Sequence, residues 1–323
     1  MHNDEILELI NYFQNRAKEN FKRVAVLVGG ESEEREISLK TGKCVSQALL
    51  KKGYEVEEID FPSPNFFDKI SRFDAVFIAL HGKFGEDGTV QGLLEILKIP
   101  YSSPDPVVSA FFMDKIMTKL IGFLNHPRFF VINKDYSINQ VVRKLEEFEL
   151  PVIIKPSFSG SSFGISLLKN IGDLKEAIDE ALKYSSRVIV EEFLDGPEIT
   201  VGVFQRKSIG VMEIVPKSDI IFSFDAKYRS ETEYIIPPRN VSQEACNYAL
   251  SISQKICEEF LVDGAVRVDF KMKGQKVFFL ELNTVPGMTD RSLLPKIALW
   301  RGISFDDLVE ATLGTSSLKI KQR

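Results

Sequence analysis

Cysteine is scarce: Cys44, Cys246 and Cys257 are the whole supply in 323 residues. Three thiols so far apart give neither a metal-binding spacing nor an even disulfide framework, so reduced cytosolic thiols are expected. Long apolar runs are missing as well. None reaches the roughly 18 to 20 residues that a membrane-crossing helix needs, and no membrane partner is expected. The first twenty residues carry Asp4, Glu5, Glu8 and Glu19 without an apolar signal-peptide core, which argues against secretion and for a cytoplasmic protein. A surplus of positive charge is absent too. With 41 basic against 46 acidic residues the formal net charge is -5, so no basic field exists to gather DNA or RNA.

What is present describes an ordinary folded protein. Hydrophobic residues make up 44% and charged residues 27%, the balance of a typical globular chain. The length exceeds what one hydrophobic core usually serves, so two or three subdomains are expected. Ile6, Leu9, Ile10, Phe13 and Ala17 recur at helical spacing and predict an amphipathic N-terminal helix over residues 1–20, packed on the body or on a partner subunit. RVAVLVG (23–29), YEVEEIDF (54–61) and DAVFIALHG (74–82) read as strands, alternating with a helical pattern closed by Gly53 and with further ones at 89–97 and 106–124. That alternation implies a parallel α/β domain over 21–113, with ligands expected beyond the carboxyl ends of its strands. Strands then follow one another more directly, in PVIIKPS, RVIVEEFL, EITVGVF, IGVMEIVP, AVRVDFKM and KVFFLELN, with helices near 173–184 and 242–260. This half reads as α+β with antiparallel sheet, in two parts at 114–204 and 205–315, followed by a solvated tail at 316–323.

Several constellations could carry chemistry. Arg267 and Asp269 alternate on one strand, and Glu281 and Asn283 on the next, so period-two geometry lines the four along one side of a hairpin. Two carboxylates and a carboxamide oxygen form a hard-oxygen set suited to Mg²⁺ beside phosphate. The plainer reading is a solvated face, but Phe270, Phe278, Phe279 and Leu280 make these strands look buried. Lys155 ends PVIIK before the loop Ser159 to Gly164, whose glycines and serines would let backbone N–H groups approach phosphate; an ordinary hairpin turn is the alternative. VIVEEFL is either a half-buried strand or one that holds a base and ribose through Glu191, and Glu198 is equally open. His81, where a strand breaks into HGKFGEDG, is either a structural histidine or a substrate-positioning donor. ESEEREIS after Gly29 and Gly30 is too acidic to cradle phosphate and would instead attract an ammonium group.

Read together, VLVGGESEEREISL, ALHGKFGEDGTVQGLLE, FMDK, LPVIIKPSFSGSSFGIS, GPEITVGV, DAKY, RVDF and ELNTVPGMTDRSLLP stand in an order that resembles the D-alanine:D-alanine ligases of the ATP-grasp superfamily, over residues 23–313. The resemblance implies an N-terminal α/β domain followed by a two-part ATP-grasp domain. It also implies an ATP-dependent enzyme that joins two D-alanines through a D-alanyl-phosphate for peptidoglycan precursors, and a homodimer. Glu34 would bind the ammonium of the first D-alanine with His81 beside it. Ser161 and Tyr228 would join Glu34 in a hydrogen-bonded group that closes the site. Lys115, Lys155, Glu191, Leu194, Glu198 and Leu280 would grip ATP, with Ser161 and Lys227 near its phosphates. Asp269, Glu281 and Asn283 would hold two Mg²⁺ (or Mn²⁺) ions. Arg267 and the backbone at Gly287 would stabilise an oxyanion, and Ser292 and Leu293 would receive the second carboxylate. By the same resemblance, Tyr228 would favour D-alanine over D-lactate as second substrate. The alternatives within reach of the same residues are another ATP-grasp ligase, making a D-alanyl-D-lactate ester or a different dipeptide, and a nucleotide-binding module without catalysis.

Overall fold

A computed structural model describes residues 3–160, 163–216 and 232–320. The N-terminal amphipathic pattern forms α1 (Asn3–Asn20), whose Ile6, Ile10 and Ala17 are buried. The apolar runs that follow become β1 (Arg23–Gly29), β2 (Glu55–Phe61) and β3 (Ala75–Ile78), with α2 (Arg35–Lys51) and α3 (Phe66–Ile70) between them. These strands pair in parallel in the order β2-β1-β3, the result of strand–helix alternation. Next come α4 (Thr89–Leu97), α5 (Pro106–Met113) and α6 (Lys115–Thr118).

The helix expected over 106–124 is interrupted at Asp114, and the cause is local. Asp105 starts α5 by accepting from the N–H groups of Val107 (2.8 Å) and Val108 (3.0 Å), with Pro106 in the first turn. Asp114 then adopts an extended backbone and its Oδ1 accepts from Ile116 N–H at 2.9 Å, restarting the chain as α6. The break docks Lys115 onto a loop, since Lys115 N–H donates to Ser157 C=O at 2.8 Å.

A second sheet is antiparallel, in the order β4-β7-β5-β6, from β4 (Phe129–Asn133), β5 (Val152–Pro156), β6 (Ser166–Leu168) and β7 (Arg187–Glu192). Helices α7 (Ile138–Leu145) and α8 (Leu174–Ala181) cover one face, burying Ile132, Val152, Ile154, Val188 and Val190. Period-two alternation leaves Lys155 and Glu191 on the other face.

The third sheet runs β10-β9-β8-β11-β12, from β8 (Glu198–Phe204), β9 (Lys207–Pro216), β10 (Thr232–Ile235), β11 (Ala265–Lys273) and β12 (Lys276–Asn283). One boundary differs from the sequence reading. Strand β8, expected to close the central part at residue 204, is bonded on both edges within this sheet. Helix α9 (Gln243–Glu259), capped by Ser242, packs on one face of the sheet. Helix α10 (Leu293–Trp300) packs on the other, where the facing pair Gly202 and Gly210 leaves room for Leu294 and Ile297. Helix α11 (Phe305–Gly314) then returns to α1 and α2. Its buried Glu310 accepts from Gln14 at 2.9 Å and Tyr54 at 3.2 Å, with Lys52 at 3.3 Å, so the first and last helices share one polar clamp. The N-terminal helix therefore packs on the body of its own chain.

Candidate active site

Strands β11 and β12 set Arg267 directly opposite Asn283 and Asp269 directly opposite Glu281. Alternation sends Val266, Val268, Phe270 and Met272 into the core and keeps Arg267 and Asp269 together on the other face. Asp269 is held from three sides: Arg267 Nε donates to Oδ1 and Nη2 to Oδ2, each at 2.9 Å, and the Thr200 hydroxyl donates to Oδ1 at 2.6 Å. A β-bulge between Asp269 and Phe270 makes Phe279 to Glu281 span two residues of β11. The bulge shifts the phase of β12. Val277, Phe279 and Leu282 are buried in the core, leaving Leu280 and Glu281, neighbours in sequence, both partly exposed.

Lys115 joins the two antiparallel sheets at this point. Its Nζ lies 3.3 Å from Glu281 and donates to Ser159 C=O at 2.8 Å. Lys155 Nζ sits 2.6 Å from Glu191 Oε2, and Lys119, one helical turn beyond Lys115, pairs with the other oxygen of the same carboxylate. Burial alone would raise the Glu191 carboxyl, but the ammonium groups of Lys155 and Lys119 outweigh it and hold the pKa down at about 2. Leu194 is buried nearby in sequence, and Glu198 stands 3.6 Å from Lys271.

A second cluster gathers groups from all three sheets. Glu34 is buried at the start of α2; a β-carbon on Gly160 would lie 2.8 Å from its Oε2, and one on Gly82 3.2 Å away. The end of β1, the His81–Gly82 turn and the Ser159–Gly160 loop thus meet around one carboxylate. His81 is fully enclosed: Nε2 is 3.0 Å from the Thr41 hydroxyl, while Nδ1 is 3.1 Å from Val285 C=O and 3.6 Å from Glu86 Oε1. Because Nδ1 faces only acceptors, it carries a proton, and the ring ties the first domain to the loop after β12. In that loop Ser292 Oγ accepts from Thr289 N–H at 3.1 Å at the start of α10, and a β-carbon on Gly287 would fall 2.9 Å from it. Leu293 is the buried first residue of the helix.

Ser161, Lys227 and Tyr228 lie outside the described residues. Sequence reasoning passed over Lys119, although FMDKIMTK spaces its two lysines one helical turn apart. It also missed Thr200 and Thr41, whose hydroxyls acquire meaning only from cross-strand and tertiary neighbours, and the Val285 carbonyl, which no side-chain pattern could announce. Among the described residues no three His, Cys, Asp or Glu side chains cluster as a metal site. The candidate set is two carboxylates and a carboxamide, an all-oxygen donor set that fits a hard divalent cation completed by phosphate and water.

Charged residues from two antiparallel sheets, converging on a lysine bridge beyond a parallel α/β domain, define an ATP-grasp enzyme. A family model described as D-ala D-ala ligase N-terminus matches residues 61–104, and one described as D-ala D-ala ligase C-terminus matches residues 118–314. The D-alanine:D-alanine ligase of Geotalea uraniireducens (strain Rf4) is 41% identical over 305 residues, covering 93% of this chain and 97% of that protein. The corresponding protein of Aquifex aeolicus (strain VF5) is 43% identical over 297 residues, covering 89% and 98%. Among solved structures, the D-alanine:D-alanine ligase from Bacillus anthracis complexed with ATP matches with a TM-score of 0.80 at 29% identity, over 91% of this chain and 97% of that one. The VanG D-Ala:D-Ser ligase from Enterococcus faecalis matches with a TM-score of 0.78 at 27% identity, over 91% and 99%. The chain belongs to the D-alanine:D-alanine ligase family.

Proposed function

We propose that this chain spends ATP to join two D-alanines, through a D-alanyl-phosphate, into D-alanyl-D-alanine for peptidoglycan precursors, and that it works as a cytoplasmic homodimer. The observation that carries this reading is the register of β11 and β12, which puts Arg267, Asp269, Glu281 and Asn283 into two facing pairs beside Lys115.

A carboxylate repels an amine nucleophile, so the first D-alanine must be activated. Glu34, buried beside Gly82 and Gly160, would take its ammonium group and leave its carboxylate aimed at the γ-phosphate. Lys115 and Lys155, with Lys227, would balance the phosphate charge, while Glu191, Leu194, Glu198 and Leu280 would hold base and ribose. Asp269, Glu281 and Asn283 would hold two Mg²⁺ or Mn²⁺ ions, whose charge would offset the negative charge of the transferring phosphoryl group. In the second step Ser292 and the N–H of Leu293, at the positive end of α10, would receive the carboxylate of the second D-alanine. Its amine then attacks the acyl-phosphate carbon, and Arg267 with the Gly287 N–H would stabilise the oxyanion until phosphate leaves. Ser161 and Tyr228 would close with Glu34 over the acyl-phosphate and keep water out.

The test is ADP release on adding D-alanine or L-alanine, followed by a panel of second substrates. Release with D-alanine alone, and D-alanyl-D-alanine as product, is the expected result. Release that is indifferent to the stereoisomer, or a clear preference for D-lactate at neutral pH, would overturn it.

A further inference from the structure

Lys119 has no part in the scheme above, yet it is among the most enclosed charges in the molecule. Its side chain is 1% exposed, that of Glu191 3% and that of Lys155 7%. One carboxylate is thus shared by two ammonium groups, one on each oxygen, and this buried cluster carries a surplus charge of one. An unbalanced charge away from water is costly, and the fold offers an obvious cheaper solution, because Lys155 and Glu191 alone would be neutral. A surplus cation kept at such a place is explained if an anion completes the site.

Geometry denies Lys119 the role of direct contact. It sits at the carboxyl end of α6, fixed on Glu191 Oε1 and 5.4 Å from the centre of the Phe129 ring. The segment bearing it is pinned at its start by Lys115 N–H to Ser157 C=O and within it by the Thr118 hydroxyl to Lys115 C=O at 2.9 Å. We infer that Lys119 is a positioning residue for the nucleotide: by neutralising Glu191 it leaves the charge of Lys155 available to the polyphosphate. This rests on the reading that Lys155 meets the phosphates of ATP. The effect is electrostatic and acts on the phosphate end, not on the base.

The readout is the ratio of the adenosine to the ATP dissociation constant, measured by calorimetry on the full chain. Lys119→Met makes the cluster neutral and should weaken ATP about tenfold more than it weakens adenosine, so the ratio falls. Lys119→Arg, which keeps the charge, should stay near the original ratio. The double variant K119M/E191Q restores a surplus of one through Lys155 and should recover the ratio even if both ligands bind more weakly. This arm also removes the unpaired carboxylate that could make K119M fold poorly. An unchanged ratio in K119M, or one that stays low in the double variant, would overturn the inference. D-alanine-dependent ADP release by the unmodified protein is measured first; its absence would refute the functional reading instead.

Discussion

Arg267 shows how much a single side chain is asked to do. It is buried and spends two hydrogen bonds on Asp269, which faces Glu281 across the strand pair. As an oxyanion donor it matters only once the tetrahedral intermediate forms, so Arg267→Ala should lower kcat by about 10²- to 10³-fold. ATP affinity, followed by calorimetry, should change only a few-fold, and unchanged turnover would remove the assigned role. His81 yields a prediction of another kind. Burial pushes its imidazolium pKa down, but Glu86, Glu34 and the Val285 carbonyl outweigh that and raise it above the ordinary 6.5. Folding therefore favours the protonated ring; its contribution is complete below that ordinary value and is lost as pH rises through the raised one. The gap in urea midpoint between the unmodified protein and His81→Gln should be widest below the ordinary 6.5 and shrink as pH rises through the raised value. At this scale the sequence announced the charged residues of β11 and β12, because period two places them without tertiary knowledge. It left His81 open between two roles, since the deciding partners, Thr41 and Val285, are 40 and 204 residues away.

Among the elements, β12 departs furthest from the simple pattern. Strict alternation would put Leu280 and Glu281 on opposite faces, yet the bulge opposite Asp269 and Phe270 leaves both out of the core. A bulge is a cooperative property of two strands, which is why alternation read from one strand alone does not reveal it. The restart of the helix at Asp114 was closer to legible, because aspartate competes for backbone N–H groups, but FFMDKIM carries no glycine or proline to mark the stop. Helix α11 offers a direct test of packing. A β-carbon on Gly314 would fall 1.8 Å from the Phe13 carbonyl oxygen of α1, so Gly314→Ala must push the two helices apart. A loss of about 1–3 kcal/mol in urea unfolding is expected, with faster amide exchange confined to α1 and α11. A variant as stable as the original would show that α1 does not pack as described.

For the molecule as a whole, the site is assembled from three sheets, so ligands that bridge them should stabilise everything at once. ATP with Mg²⁺ at 100 times its dissociation constant should add about 2.7 kcal/mol to unfolding, seen as one shifted urea transition. Chelating the metal should reverse part of that gain, and a ligand effect limited to one part of the chain would contradict a shared site. The change from strand–helix alternation to consecutive strands was enough to separate the parallel from the antiparallel half. The sheet to which β8 belongs was not readable, because the choice is made by its edge partners β9 and β11. One contact has a bearing on biosynthesis. Gln14 and Glu310 are hydrogen-bonded across 296 residues, so α1 finds its seat only when α11 has been translated. At roughly 5–20 residues per second, Ile6 and Ile10 stay uncovered on the nascent chain for about 15–60 s. Ribosome-associated chaperones would have that interval in which to engage this segment.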